Sequence, residues 1–359
     1  MEKMKFLQLQ ASALFLISSF AHARHFSKNS FLSLSAAVSS IEKRISRDEG
    51  GRGIGDVVIN GELLKAGKHI ANMKKGQTVV ILSGFPCCVE RNPPSETDGP
   101  PGAFAIARSC VALGLKVVIL TDECNEDVFI SGAANVGIWA GGGNLKLESF
   151  PPESEWGEGE AKRLIEIAET SCDHIVAIER PGRAADGSCY TMRGISMDHL
   201  LAPLDKLIDL AKSSKPELIV TAIGDGGNEL GFGKQYEATI KSKNILMPDK
   251  CVSVVSCDHL IVASVSNWGG FALAAAAGMA MHDGKEKGGG EGWESDPKKV
   301  VEKCLPSEID ETRILAGCVE AGCRDGVSGE MVSTVDGMSL EITLDCLRDV
   351  RELAGQGWR

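Results

Sequence analysis

Short apolar runs alternate with helical patterns through the middle of the sequence, and this alternation restricts the possible folds more than any other feature. Each run is rich in Val, Ile and Leu over strand length, as is typical of strands that are covered on both faces. Helices between such strands indicate parallel connections. We therefore predict an α/β fold with a doubly wound, mostly parallel, Rossmann-like sheet and helices on both faces. The five predicted strands lie in Gln77–Gly84, Lys116–Glu123, Asp173–Arg180, Glu217–Gly224 and His259–Asn267.

Composition narrows the classes of function. The 359 residues carry a net charge of −11 and only 5% aromatic residues, which argues against a nucleic-acid-binding surface or an anionic membrane as partner. The twelve cysteines include no CxxC pair, so we expect buried, reduced thiols rather than a zinc site or a disulfide framework. Cys87 and Cys88 are adjacent after a predicted strand, and no sequence feature marks either as a reactive nucleophile.

The first forty-five residues differ from the rest. No acidic residue lies between Lys3 and Ile41, where basic residues are interleaved with serines, alanines and leucines. This pattern is typical of an organellar transit peptide, although Ala11–Ala23 could also be the core of a secretory signal. The same stretch is short for a membrane span. We therefore assign residues 1–45 to a targeting segment, with mitochondrial import ahead of secretion, and residues 46–359 to one α/β domain.

In a doubly wound sheet, ligands bind beyond the carboxyl ends of the strands, so the loops there are candidates for the site. The loop Gly224–Gly233 carries Asp225, Asn228 and Glu229 among five glycines. It lacks the lysine and hydroxyl of a P-loop and the spacing of GxGxxG. Its oxygen-bearing side chains suit a hard cation such as Mg²⁺, and Asp122, at the end of another strand, could be a further ligand. The alternative is a tight turn in which Asp225 or Asn228 caps the next helix.

Two arginines follow the strand that ends near Glu179. Arg180 and Arg183 present planar guanidinium groups, which bind carboxylates at two points. They could therefore hold a substrate carboxylate. An internal ion pair with Glu179, or simple solvation at the surface, is an equal alternative.

Two further loops carry polar groups at the expected edge of the sheet. Glu96 and Asp98 lie in a proline-rich loop before a predicted helix, and Gly102 would let the start of that helix approach an anion. Ser266 and Asn267 follow the fifth strand and could donate hydrogen bonds to a ligand. Each loop has a structural alternative, a surface connection in the first case and a helix cap in the second.

Taken in order along the chain, these loops resemble the D-glutamate cyclase family, specifically its C-terminal domain. Each motif alone is weak, but five in one order over most of the chain, from about residue 52 to 353, are specific. The stretches that carry the resemblance are GFPC at Gly84–Cys87, ETDGPPGA at Glu96–Ala103, ERPGR at Glu179–Arg183, IGDGGNELGFG at Ile223–Gly233 and VSNWGG at Val265–Gly270.

The resemblance implies an activity and a compartment. Members of that family convert D-glutamate to 5-oxo-D-proline with loss of water, so it implies a hydro-lyase of the mitochondrial matrix that acts on an acidic amino acid. Animal members carry a long N-terminal region, similar to a hydro-lyase, that this sequence does not contain. We therefore expect the stand-alone, plant-type form. If the cyclase chemistry of the family resides in the N-terminal region, a chain with this domain alone would have another function, and the sequence leaves this open.

Cyclisation requires a base for the amine and an acid or cation that polarises the γ-carboxyl group. No nucleotide is required, and a Mg²⁺ or Mn²⁺ ion is an option rather than a necessity. The predicted site is Asp225, Glu229 and Asp98 as catalytic residues, Arg180, Arg183, Glu96, Asn228, Ser266 and Asn267 as substrate-binding residues, and Asp122 with Asp225 as ligands of the optional ion.

Two other functions are compatible with the same loops. One is a metal-dependent enzyme that acts on a phosphorylated or sugar-acid metabolite, and the other is a protein that binds an amino acid without turning it over. The sequence leaves open which enantiomer is preferred and whether the chain forms a homo-oligomer.

Overall fold

A six-stranded, all-parallel sheet organises the chain, which confirms the predicted doubly wound α/β fold. The computed structural model describes residues 32–51, 53–137, 143–242, 245, 247–286 and 294–356. The strands pair in the order β3-β2-β1-β4-β5-β6, with a separate two-stranded antiparallel hairpin β7-β8. The strands are β1 (Thr78–Ser83), β2 (Lys116–Asp122), β3 (Leu145–Phe150), β4 (His174–Ile178), β5 (Val220–Gly224), β6 (His259–Val262), β7 (Thr334–Val335) and β8 (Met338–Ser339).

Alternate residues of each central strand face two different cores. In β1, for example, Val79 and Ile81 belong to one apolar cluster while Val80 and Leu82 belong to the other. Both clusters are covered by helices, which is why these strands read as continuous apolar runs. The helices are α1 (Leu34–Ile45), α2 (Glu62–Asn72), α3 (Pro100–Ala112), α4 (Glu126–Ala134), α5 (Glu158–Thr170), α6 (Lys206–Ser214), α7 (Tyr236–Thr239), α8 (Pro248–Cys251), α9 (Ser266–Glu286), α10 (Pro297–Cys304), α11 (Glu308–Glu320) and α12 (Leu340–Gly355).

Helix α1 belongs to the folded unit, although our predicted boundary at residue 45 placed it in the targeting segment. It buries Leu34, Val38, Ile41 and Ile45 in the larger core. The apolar face of a leader and that of a core helix look alike in sequence, so the boundary could not be placed by pattern alone. Residues 1–31 lie outside the described residues, and their targeting role stays a prediction.

Close contact between α3 and α9 sets the position of the loops above the sheet. A Cβ atom built on Gly270 of α9 would lie 2.6 Å from Cα of Gly102 in α3, so only glycine permits this crossing. The contact brings the first residues of both helices together at the carboxyl edge of the sheet. Among the described residues, no helix is long and apolar enough to cross a membrane.

Candidate functional site

The strand order reverses between β1 and β4, and a cavity lies above this point. Its volume is about 240 Å³. Crevices at such reversals are the usual ligand sites of doubly wound sheets. The loops after β1, β4 and β5 and the segment before β7 all contribute to its wall. The lining residues are Phe85, Cys87, Glu96, Glu179, Thr191, Met192, Arg193, Ile195, Asp225, Gly226, Asn228, Glu229, Ile245, Gly326, Val327 and Asp336.

The glycine-rich loop after β5 folds around the carboxylate of Glu229. That carboxylate accepts hydrogen bonds from the backbone N–H groups of Asp225 (3.1 Å), Gly226 (2.7 Å) and Gly227 (2.7 Å). Gly227 has φ +106°, a conformation that other residues rarely adopt. The glycines thus let the backbone turn its donors onto one acid. Glu229 is occupied in holding the loop, which argues against the catalytic role that we predicted for it.

Asp98 binds the first turn of α9. Its two carboxylate oxygens accept hydrogen bonds from the backbone N–H groups of Ser266 and Asn267, both at 2.8 Å. The positive end of the helix dipole therefore stabilises a negative charge on Asp98. Asn267 is fully buried and accepts hydrogen bonds from the backbone N–H groups of Gly99 and Gly102. It joins the two helix starts and does not line the cavity, so the geometry does not support substrate binding by Asn267.

Glu179 lies in the site, although the sequence predicted for it only a possible ion pair with the neighbouring arginines. It follows β4 with a positive φ of 42°, lines the cavity and is 5% exposed. Ser266 Oγ donates a 2.5 Å hydrogen bond to its Oε2. Burial first, and then the nearby carboxylates led by Glu229 and Asp98, raise the pKa of Glu179 well above its ordinary value. The site thus favours the protonated form of Glu179, and Ser266 positions its side chain.

Arg180 and Asp122 bind each other, and this geometry does not support the predicted roles of Arg180 in substrate binding and of Asp122 as a ligand of an ion. The two form a buried, bidentate ion pair. Asp122 also accepts hydrogen bonds from the side chain of Asn125 and the backbone N–H of Ala202. With four donors on its two oxygens, Asp122 has no lone pair suited to a metal. Neither residue lines the cavity.

Arg183 also lies away from the cavity. It forms an ion pair with Asp205 on the outer side of the loop after β4, and its side chain is 39% exposed. The internal pairing that we considered as an alternative is therefore correct in kind, although the partner is Asp205 rather than Glu179. The geometry does not support a substrate contact by Arg183.

The polar loop residues Glu96, Asp225 and Asn228 line the cavity, as the sequence predicts. Asn228 is fixed by the hydrogen bond that its Nδ2 donates to the backbone O of Tyr190 (2.8 Å). Glu96 packs against Gly326, where a Cβ atom would lie 1.9 Å from its Oε2. These side chains come from two loops that are far apart in sequence, those after β1 and β5, which supports the predicted convergence at the carboxyl edge of the sheet.

Asp336 was missed by the sequence reasoning. It lies at the turn of the β7-β8 hairpin, with φ +54°, and lines the cavity. Asp325 orders the preceding segment by accepting hydrogen bonds from Ser328 N, Thr334 Oγ1 and Gly337 N, each at 2.7 Å. The dipeptide Asp336-Gly337 between short apolar stretches is a known hairpin signal and could have revealed this element.

Comparisons with known proteins identify the family of the chain. The family described as D-glutamate cyclase-like, C-terminal, matches residues 41–351. The chain belongs to this family. The human protein "D-glutamate cyclase, mitochondrial" is 35% identical over 328 residues, which is 87% of this chain and 51% of the human protein. The chain therefore spans about half the length of that curated relative.

In this D-glutamate cyclase-like domain, one oxygen each of Asp98, Asp225 and Asp336 lies within 4.8 Å of the other two. The same is true of Glu179, Asp225 and Glu229. Oxygen atoms that bind one ion at about 2.0–2.4 Å lie at most about 4.8 Å apart, so these separations are compatible with a hard cation. Asp98 and Glu229 already accept backbone hydrogen bonds on both of their oxygens, which leaves Asp225 and Asp336 as the better ligands. Asp225 is common to both sets. If an ion binds this family member here, Asp225 is its central ligand and Asp336 replaces Asp122.

The cavity of this family member holds far more negative than positive charge. Five of its lining residues are Asp or Glu, and Arg193 is the one Lys or Arg among those that the structure describes. Arg193 lies on the loop after β4 and donates a 3.2 Å hydrogen bond from Nη2 to the backbone O of Val327 across the cavity mouth. A ligand with carboxylates can enter only if protons, its own ammonium group or a bound cation offset this charge.

Proposed function

We propose that this chain cyclises D-glutamate to 5-oxo-D-proline and releases water; the printed name of its human relative, D-glutamate cyclase, supports the substrate and the cyclisation. The observation that carries the proposal is the set of converging carboxylates, one of them with a raised pKa, beside one arginine in a small cavity. An amino acid with two carboxylates and an ammonium group complements this set. Holding the amine next to the γ-carboxyl group could supply up to ~7–11 kcal/mol of the barrier reduction.

The proton balance of the reaction assigns the roles. The substrate ammonium loses two protons, and the oxygen that leaves the γ-carboxyl group gains two, so the reaction consumes none overall. Asp225 is the base that accepts a proton from the ammonium group, and Glu179 is the acid that protonates the departing oxygen. Arg193 and Asn228 orient the α-carboxylate. Asp98 and Glu96 shape the field of the site rather than transfer protons.

A divalent ion at Asp225 and Asp336 would polarise the γ-carboxyl group when bound. Its binding can be measured without turnover. Mg²⁺ or Mn²⁺ should raise the thermal unfolding temperature of the wild-type chain, since a ligand at 100 times its Kd stabilises by ~2.7 kcal/mol. Asp225→Asn should abolish this shift, whereas Asp127→Asn, on the exposed first turn of α4, should retain it. Equal shifts in all three proteins would show that no ion binds at Asp225.

The activity test is direct. The purified chain, incubated with D-glutamate, should release 5-oxo-D-proline, detected by chiral chromatography, and Asp225→Asn should reduce the rate at least ~10²-fold while keeping its fold. Stabilisation by D-glutamate without turnover would instead favour an amino-acid-binding protein. Release of inorganic phosphate from a panel of phosphorylated metabolites would favour a metal-dependent enzyme that acts on such compounds. A cavity with one arginine among its described lining residues is poorly suited to phosphate.

We also propose that the protein acts in the mitochondrial matrix, with the secretory route as the alternative. The acid-free leader and the mitochondrial human relative support import. Fusing residues 1–33 to a fluorescent protein should direct it to mitochondria. Accumulation of the fusion in the secretory pathway would overturn this assignment.

A further inference from the structure

Two adjacent cysteines lie in the loop after β1, which closes on itself beside the cavity. The backbone N–H of Glu96 donates to the O of Phe85 (3.2 Å), and that of Cys88 donates to the O of Pro94 (3.0 Å). Cys87 lines the cavity. The loop therefore holds Cys87 at the cavity wall with Cys88 next to it, and the activity proposed above makes no use of either thiol.

The two sulfur atoms are close to each other and to an acid. Cys87 Sγ lies 3.8 Å from Cys88 Sγ and donates a hydrogen bond to Glu96 Oε2 at 3.3 Å. Both cysteines are partly exposed. Small oxidants can thus reach this pair, unlike the eight cysteines that are buried.

Positive charge surrounds Cys88. The hydrogen bond with Cys87 is the largest cause that lowers the pKa of Cys88 to about 7, burial opposes it, and the charges of Arg324 and Arg193 act in the same direction as the bond. All twelve cysteines are described by the structure, and the pKa of each of the other eleven is raised. Because the thiolate is the reactive form, Cys88 is the cysteine of this chain best suited to attack an oxidant.

We propose that Cys87 and Cys88 form a modification site that peroxides oxidise to a disulfide in the cavity wall. The Cys88 thiolate attacks the peroxide, the O–O bond breaks, and Cys88 becomes a sulfenic acid while hydroxide or alkoxide leaves. Cys87 then attacks the sulfenic sulfur, the S–S bond forms, and the sulfenic oxygen departs as water with the Cys87 proton. Two thiols are oxidised and one peroxide is reduced. The bridge also removes the thiol hydrogen that Cys87 donates to Glu96.

The bridge should be easily reversed. Adjacent Cα atoms are ~3.8 Å apart across a trans peptide, shorter than the ~4.4–6.8 Å of ordinary disulfides, so the bond is strained and readily reduced. This property suits a reversible mark rather than a structural cross-link. It also distinguishes the proposal from accidental over-oxidation, which a dithiol does not reverse.

Peptide mass spectrometry of the intact, full-length protein tests the proposal without any activity assay. After brief exposure to hydrogen peroxide, the peptide with Cys87 and Cys88 should lose the mass of two hydrogen atoms and regain it with dithiothreitol. Cys124 and Cys257 are the matched controls, since they are also partly exposed but have pKa values raised to about 12. Peptides containing them should be unchanged.

Two variants extend the test. Cys87→Ser should trap Cys88 as a sulfenic acid, which a dimedone-type probe labels, whereas Cys88→Ser should leave Cys87 unlabelled. Thermal unfolding confirms that both variants fold. If the wild-type pair is alkylated after peroxide as fully as before it, or if Cys124 is oxidised at the same rate, the proposal is wrong.

Discussion

Glu179 has a positive φ, a deeply buried side chain and a raised pKa. Ionisation of Glu179 places a negative charge beside other carboxylates, which is unfavourable. The protonated form is therefore favoured, and it is also the form that can donate a proton in catalysis. Its raised pKa means that the folded state binds this proton more tightly than the unfolded chain does. The stability cost of Glu179 therefore grows as the pH rises above the ordinary value of 4.5.

We predict that Glu179→Gln retains the stability of the protein but reduces its activity, because the ionised side chain opposes folding while the protonated acid is needed for catalysis. The amide copies the neutral acid, so the unfolding temperature at pH 8 should equal or exceed that of the wild type. Cyclase activity should fall ~10²–10⁴-fold, and the decline of the wild-type rate at high pH should disappear from what remains. Rate–pH profiles and thermal unfolding of both proteins check this. An active variant with an unchanged pH profile would contradict the role of Glu179 as the acid.

Glu229 provides the opposite case, an acid whose role is structural. Glu229→Gln would place an NH₂ group against backbone N–H donors, and hydrogen bonds to charged groups contribute ~1.5–3 kcal/mol each. We expect a loss of at least ~1.5 kcal/mol in the free energy of unfolding, measured with urea. Glu237→Gln, an exposed change in α7, is the control and should leave stability within ~0.5 kcal/mol. A fully stable Glu229→Gln variant without activity would restore the catalytic role.

At the scale of elements, three histidines meet at the amino end of the sheet, opposite the cavity. His174 of β4 is fully buried and close to His69, with ring centroids 4.7 Å apart, and its Nε2 lies 3.2 Å from Thr221 Oγ1. Burial, and then the nearby histidines, lower the pKa of His174 well below 6.5. His69 and His259 are shifted in the same direction.

These shifts predict that the histidines contribute a loss of stability in acid, opposite in sign to the contribution of Glu179. Below pH 6.5 the unfolded chain protonates His174 while the folded chain does not, so the contribution of His174 to the free energy of unfolding falls as the pH falls. The slope approaches ~1.4 kcal/mol per pH unit for each such histidine. His174→Gln should show a smaller loss between pH 7.5 and 5.5 in urea unfolding. Parallel curves for the two proteins would show that His174 does not couple folding to protons.

The secondary-structure elements also show how much of the fold could be predicted from the sequence. The central strands were predicted because both of their faces are buried, which leaves a continuous apolar run. Strand β3 at the sheet edge, with the sequence LKLESF and mostly half-buried side chains, carries no such signal. The predicted fold identified the carboxyl edge of the sheet as the candidate ligand-binding edge. The hydrogen-bond partners of the side chains at this edge could not be predicted, since Arg180 meets Asp122 across 58 residues and only the tertiary structure decides such pairs.

At the scale of the whole molecule, α1 joins the start of the described chain to its end. Arg44 donates a 2.5 Å hydrogen bond to Asp349 of α12 and lies over the Trp268 ring at 5.4 Å. Glu42 accepts hydrogen bonds from the backbone N–H groups of Gly61 and Leu63 at the start of α2. A helix in these positions is a structural part of the domain, whatever the segment before it does.

The same contacts predict where an imported chain can be cleaved. The four large apolar side chains that α1 buries contribute roughly 1.5–3 kcal/mol each, together comparable with the ~5–15 kcal/mol net stability of a typical domain. A chain that begins at Leu32 keeps Ser33, whose Oγ accepts a hydrogen bond from Ala36 N, and should unfold at the temperature of the full-length protein. A chain that begins at Ser46 should be unfolded or melt far lower, as circular dichroism would show. Equal melting temperatures for the two truncations would mean that α1 adds nothing to the core, and cleavage at residue 45 would then be compatible with the fold.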